Sequence, residues 1–401
     1  MFRNFAYATV SAASNGLLLV VLIVAGRTLG DAEFGKFSFA LALGSIFETL
    51  MDFGLHQATI RAVARDKSQA TALLHHSFGI KLLWAGGALV ALIVTATLLR
   101  SEWDVRLACY FLGGSFVIRS YMLTIRGVLQ GLERFGWDSI VVVADRVLLL
   151  VFSVGALAAG TGLRGLVIAF LAARLAALAL AAWVTRAHLG GFGVRFDRDA
   201  WRELQTTALP LGVFLIVLNL YSYVDSVMLG VMRTDVETGL YTAAYRVYEG
   251  ISYAPSVIAS VLTPRLSGLF VSDRTQHRRV ALAGLGTSVA LAIVLTAVAY
   301  ALAEPIVTLL FGHAFAGAAS PLRILSLGLW CLFAIWVLHA IAISMGRERL
   351  LLKTGITGLL VNVGLNLFVI PRYGPNGAAA ATVAGELVCM TVLIGGLRRR
   401  V

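Results

Sequence analysis

Long apolar runs leave this chain one environment in which to fold. From about residue 5 to residue 397 it passes through stretch after stretch of Leu, Val, Ala, Ile and Phe, separated by short polar joints. Crossing a bilayer takes roughly 20 such residues per helix. The runs fit about twelve spans, at 6–29, 35–58, 76–99, 107–129, 138–160, 164–186, 207–231, 239–263, 280–303, 320–345, 350–371 and 376–397. Charged residues make up only 13% of the chain, and the mean hydropathy is +0.86. A soluble domain carries about 25% charged residues, so this chain lacks the polar surface to meet water. No polar stretch is long enough for a separate soluble domain. The expected fold class is an all-α integral membrane protein.

The first run follows Arg3, is long for a cleaved signal, and leads at once into the next helix, so it reads as an uncleaved span. Cys109, Cys331 and Cys389 lie scattered within apolar runs. They read as small buried core residues, and no disulfide frame, metal site or cofactor is expected.

A net charge of +12 first suggests a nucleic-acid partner. Topology accounts for it better. Twelve spans put both termini on one side and divide the loops into two alternating sets. One set holds twenty basic residues, including Arg61, Arg65, Arg195, Arg198, Arg278 and Arg398–Arg400; the other holds eight. Positive charge marks the cytoplasmic side, so both termini are expected there. The tail 398–400 reads as a membrane-surface anchor, and no nucleic acid is expected as a partner.

The chain also repeats itself. "DAEFGKFSFA" at 31–40 aligns with "DVETGLYTAA" at 235–244, offset by 204, and Arg61 and Arg265 share that offset. "GLER" at 131–134 echoes "GRER" at 346–349, and "GLRGLVIA" at 162–169 echoes "GPNGAAAA" at 374–381. The shared order indicates an internal repeat. Six spans per half restore the starting side, so the halves have parallel topology, and transporters built this way place substrate in a central cavity between the halves. The expected lobes are 1–190 and 207–401, joined by a cytoplasmic linker at 191–206. Gly35 and Gly239 are expected to permit tight entry into spans two and eight. Asp31, Glu33, Asp235 and Glu237 are expected to cap helix starts.

Ionisable groups at bilayer depth cost about 2.5–3.5 kcal/mol on insertion scales and face a partner or a polar cavity. The basic ones are Lys81, Arg119, Arg146, Arg174 and Arg246; the acidic ones are Glu48, Asp52, Asp145, Asp225, Glu249 and Glu386. Four of the five basic groups fall in the first half. Two arrangements fit. A cationic cavity would accept a diphosphate, for which the planar fork of Arg is suited. Alternatively, Glu48, Asp52 and Asp145 neutralise the cations in interhelical pairs, and Lys81 snorkels toward the interface. Arg246 and Glu249 are i, i+3 neighbours able to pair on one face. Asp225, Glu249 and Glu386 are candidates to carry a coupling proton or cation. Asn362 and Asn366 share a face and read as interhelical glue.

Five segments carry a family resemblance: "AGRTLGDAEFGKFSFALAL" (25–43), "DFGLHQATIRAVAR" (52–65), "GLYTAAYRVYEG" (239–250), "LTPRLSGL" (262–269) and "NVGLNLFVIPRYGPNGAAAAT" (362–382). With them the chain resembles the Wzx-like oligosaccharide flippases, polysaccharide biosynthesis proteins of the multidrug/oligosaccharidyl-lipid/polysaccharide (MOP) exporter superfamily. The resemblance implies two six-helix lobes around a cavity that opens alternately inward and outward. It implies transfer of a polyprenyl-diphosphate-linked glycan to the outer leaflet of a bacterial cytoplasmic membrane, for surface polysaccharide such as O-antigen or exopolysaccharide. Membrane lipid and other membrane proteins of polysaccharide assembly are the implied partners. Family members use basic cavity residues on the diphosphate, a role open here to Arg119, Arg174, Arg246, Arg146 and Lys81. Lipid II flippases commonly carry two further helices, which counts against that branch.

Two other classes compete. A cation-coupled antiporter of drugs or small molecules, from the same superfamily, would favour an acid-rich aromatic pocket. A membrane enzyme of glycan assembly would need catalytic groups in a large outer loop, and the outer loops are short. His313, alone in "FGHAFAG", lacks the partners a catalytic base needs. No phosphate-binding loop is present for ATP hydrolysis, so the chain is not expected to be an enzyme.

Overall fold

The computed structural model describes residues 14, 16–189, 191 and 193–398. Arg3 and the Arg399–Arg400 part of the basic tail therefore lie outside the described residues, as does the start of the first predicted span. The α-helices are α1 (Gly16–Asp52), α2 (Leu55–Arg65), α3 (Ala70–Leu99), α4 (Trp103–Gly131), α5 (Phe135–Ala158), α6 (Gly162–Leu189), α7 (Arg198–Met232), α8 (Asp235–Ser272), α9 (Arg274–Ala301), α10 (Ala303–Phe311), α11 (Ala319–Ser326), α12 (Leu329–Ser344) and α13 (Glu348–Arg398). Two short 3-10 turns, Lys67–Gln69 and His313–Ala318, precede α3 and α11. The described residues contain no strand, as an all-α membrane protein requires.

Eight helices are long and apolar enough to cross a membrane among the described residues, or nine counting one bent pair. The count falls below the predicted twelve because spans run together. The 51 residues of α13 extend about 75 Å at 1.5 Å per residue, more than twice a hydrocarbon core of about 30 Å. They hold predicted spans eleven and twelve, with a single break at Gly374 (φ 51°, ψ −129°). In α1 the loop expected between spans one and two is likewise reduced to one break at Gly30, whose φ of 77° and ψ of 177° suit a residue without Cβ.

Two spans depart from expectation in the opposite sense. Span two does not continue to residue 58. It stops at Asp52, where Phe53 and Gly54 both turn left-handed (φ 43° and 78°), and α2 restarts at Leu55. Span ten is not one helix. The segment His313–Ser326 meets Leu329–Ser344 at 48°, with Leu327 and Gly328 at the bend.

The chain forms two compact units. One comprises Met1–Leu29 with Lys36–Asn219, and the other Gly30–Gly35 with Leu220–Val401. In the first, α6 packs on α4 and α5, and α4 packs on α2 and α3. Val63, Phe78, Ile125, Leu129, Ala181 and Val184 fill part of its core. The chain leading into α7 lies along α3: the Arg195 N–H donates to the His75 carbonyl at 3.1 Å, and the His75 ring meets the Gly191 carbonyl at 3.3 Å. In the second unit α12 packs on α8, α9 and α13.

The repeat is visible in detail. Gly162 and Gly374, aligned by sequence, both have positive φ (64° and 51°). The "GLER"/"GRER" alignment needs a shift of two residues. The left-handed turn residues are Glu133 and Gly346, each followed by an N–H that reaches back five residues, Arg134 to the Leu129 carbonyl and Arg347 to that of Ala342. Gly35 and Gly239 have no left-handed φ, so their expected part in a tight entry fails. They are needed for close approach: a Cβ on Gly35 would strike the Asp235 carbonyl, and one on Gly239 would strike that of Asp31. Beside this contact Phe34 packs between Phe311 and Phe315, at 5.9 and 5.6 Å between ring centroids. The cap of α8 is a capping box between Thr234 and Glu237. Asp31 accepts from the Ala32 N–H within α1.

Candidate functional site

The buried charges of the first unit form one network across five helices. Lys81 on α3 is fully buried; its Nζ donates to Asp52 Oδ1 on α1 at 2.7 Å, to Ser120 Oγ on α4 at 2.8 Å, and to the Ser120 carbonyl. It therefore does not snorkel. Arg119 on α4 holds both oxygens of Glu48 on α1, at 2.6 and 2.5 Å. Arg174 on α6 pairs with Asp145 on α5. Asp145 and the adjacent Arg146 diverge around α5, as helical geometry requires. The charges acting on Arg146 are Arg119, Arg174, Asp145 and Glu48.

Of the two arrangements weighed from the sequence, the interhelical pairs are present. Glu48, Asp52 and Asp145 each take one cation, from Arg119, Lys81 and Arg174 respectively. The pairs differ in access. The Arg174 side chain is 4% exposed and Lys81 0%, whereas Arg119 is 28% exposed. Of the three paired cations, Arg119 is the most exposed.

The second unit carries a different site. Asp225 on α7 accepts three side-chain hydrogen bonds: from Tyr241 on α8 and Thr382 on α13, both at 2.7 Å, and from Asn366 on α13 at 2.6 Å. Asn366 also donates to Asn362 Oδ1 at 3.1 Å. Of the two asparagines read as helix glue, Asn366 joins α13 to α7 by way of this carboxylate, while Asn362 bonds Asn366 within α13. Arg246 bonds Glu249 at 2.5 Å, as their spacing suggested, and lies 5.7 Å over the Tyr223 ring. Glu386 accepts from the Tyr248 hydroxyl.

The tyrosines escaped sequence reasoning. Tyr241, Tyr245 and Tyr248 form a stripe at i, i+4 and i+7 along α8, with centroids 5.9 and 6.0 Å apart. That spacing was available as a signal, but in an apolar run aromatic residues read first as core. The described residues contain no cluster of His, Cys, Asp and Glu able to hold a metal ion, and the three cysteines are buried and free.

Residues 2–270 match the family described as polysaccharide biosynthesis protein, and residues 147–401 match the family described as lipid II flippase MurJ. Comparison with curated protein sequences yields no match. Among solved structures, lipid II flippase MurJ in an inward closed conformation aligns with a TM-score of 0.79 at 13% identity, covering 98% of this chain and 87% of that one. An inward-facing multidrug resistance MATE family transporter of the MOP superfamily aligns with a TM-score of 0.75 at 16% identity, covering 95% and 94%. A MOP superfamily transporter from Pyrococcus furiosus aligns with a TM-score of 0.60 at 16% identity, covering 98% and 92%. At these identities the likeness is one of fold. The lipid II flippase branch, disfavoured above on helix number, is thus among the families that match.

Proposed function

We propose, for a chain that belongs to the polysaccharide biosynthesis protein family of the MOP superfamily, that it flips polyprenyl-diphosphate-linked oligosaccharide from the cytoplasmic to the outer leaflet by alternating access. The two lobes, 1–190 and 207–401, would move about the linker at 191–206. The observation that carries this reading is the network of the first unit, where Lys81, Arg119 and Arg174 are held by carboxylates within the apolar interior and Arg119 is the most exposed of the three. At Arg119 a diphosphate competes with Glu48 for a guanidinium that already makes two contacts to one anion. Lys81 and Arg174 hold the network in place behind it, and Arg246, paired with Glu249, is the diphosphate candidate of the second unit.

The test is replacement of Arg119, Arg174 and Arg246, each by Ala and by Lys, with expression checked and surface glycan assayed. Arg119→Ala is expected to abolish glycan export, and Arg119→Lys to recover less than wild type because a point charge lacks the fork. Full activity in all three Ala variants removes the cationic-site reading.

The second unit favours a cation-coupled cycle, the feature shared with the antiporter reading. Asp225, Thr382, Asn362 and Asn366 gather oxygen atoms at one place, and Asn366 Oδ1 has no hydrogen-bond partner. Rotation of that amide offers a further oxygen, so the group fits a proton or a monovalent cation exchanged against the lipid-linked anion. Glu249, half-exposed beside Arg246, is the less enclosed candidate.

A further inference from the structure

Glu386 stands apart from the other buried acid of the second unit. Asp225 receives three donors, but Glu386 receives one. Tyr248 donates to its Oε1, while Oε2 has no hydrogen-bond partner in a residue 3% exposed. The titratable groups facing it are Tyr245 and Tyr248 on α8, Tyr221 on α7 and Cys331 on α12, with Cys389 one turn along its own helix. No arginine, lysine or histidine among the described residues acts on it. A carboxylate is an acceptor at both oxygens and needs donors at both. Buried with one oxygen bare and no counter-charge, the ionised form is costly.

The bare oxygen points at a defined place. A Cβ built on Gly328 would lie 2.7 Å from Glu386 Oε2 and 3.2 Å from the Leu325 carbonyl oxygen. Gly328 is the bend of the broken tenth span, where the helix turns by 48°. The Leu325 carbonyl accepts from the Gly328 N–H at 2.9 Å and keeps a second lone pair. With no donor at Oε2 and no counter-charge, the neutral acid is the form this place accommodates.

We propose that Glu386 is a proton-binding site: in this conformation it is the neutral acid, its proton on Oε2, seated against the bend at Gly328. The proton comes from water and returns to it, and no other group changes state. Loss of the proton sets an unpaired negative charge against the backbone of the broken span, so the ionised form and this bend disfavour each other. Proton uptake is thereby linked to the geometry of α11 and α12. Only the use of that linkage in transport rests on the transporter reading; the bound proton does not.

The experiment is an infrared pH titration of the full-length protein in lipid nanodiscs, following the C=O stretch of protonated carboxyl groups. A band is expected in the wild type that Glu386→Gln removes and Asp225→Asn leaves. Gln is isosteric with the neutral acid and donates from its amide, so that variant is expected to fold. Glu386→Asp, which keeps an acid on a shorter stem, is expected to retain a band at a changed frequency. Gly328→Ala puts a methyl 2.7 Å from Oε2 and is expected to move the titration midpoint; a midpoint left unmoved overturns the seat against the bend. A band that survives Glu386→Gln, or a wild type with no such band, overturns the proposal. If the band behaves as expected but proton-dependent transport is unchanged in Glu386→Gln, the proton site stands and its use in coupling falls.

Discussion

Removing the Lys81 ammonium alone, and removing it together with the Asp52 carboxylate, should have opposite consequences. The two atoms lie 2.7 Å apart, and the lysine side chain is fully buried. At an effective dielectric of about 20 their gross attraction is about 6 kcal/mol, most of which offsets the cost of taking both charges out of water. In Lys81→Met the carboxylate keeps one backbone donor, the His56 N–H at 3.3 Å. In Asp52→Asn the ammonium keeps both the Ser120 hydroxyl and the Ser120 carbonyl. The lysine variant should therefore lose more, about 5 kcal/mol against about 3. At roughly 2–4 °C per kcal/mol these are losses on the order of 10 °C in Tm. The double variant Lys81→Met/Asp52→Leu buries no charge and should return close to wild-type stability. The assays are thermal unfolding in nanodiscs and transport in vesicles. If the single losses simply add in the double variant, the pair is not coupled and the reasoning fails. If the double variant is stable but transports nothing, Lys81 touches substrate, and its assignment to the supporting layer behind Arg119 is wrong.

Three further outcomes follow from the geometry. Gly239→Ala should cost about 1–3 kcal/mol in thermal unfolding because its methyl meets backbone, whereas Gly87→Ala in α3, with nothing within 4 Å, should gain up to about 1 kcal/mol. Thr382→Val and Tyr241→Phe each leave Asp225 one donor short. Each should cost about 1–3 kcal/mol and alter the ion dependence of transport; unchanged ion dependence in both variants takes coupling away from Asp225. Reporter fusions at Val401 and within 188–203 should both score cytoplasmic, and a periplasmic score for either breaks the twelve-span map.

The membrane class was legible because burial in lipid demands apolar residues at nearly every position of a span, which leaves a dense signal. The acids that neutralise Lys81, Arg119 and Arg174 were also legible as a set, since few charges occur at such depth. Which acid meets which base was not, because Asp52 and Lys81, or Asp145 and Arg174, are brought together by helix packing and not by spacing along the chain. Helix breaks were the weakest point. Phe53 is an unremarkable residue for a span, and nothing local marks it as left-handed. The bend at Leu327–Gly328 looks like any small residue in an apolar run. Donors to Asp225 were missed for a related reason: Tyr241 and Thr382 read as core until the carboxylate they face is known.

The contact between Gly35 and Gly239 constrains how this chain changes over time. Each glycine is kept bare by the backbone of the other copy of the same motif, so a side chain gained at either position is felt at both. Two stretches that arose by duplication would ordinarily drift apart, each free to absorb its own substitutions. Here that freedom is withdrawn at one pair of positions, which remain glycine together or are replaced together with a rebuilt crossing. Relatives of this chain should show the two positions co-varying more tightly than Asp31 and Asp235, which meet the glycines through backbone carbonyls that any residue supplies.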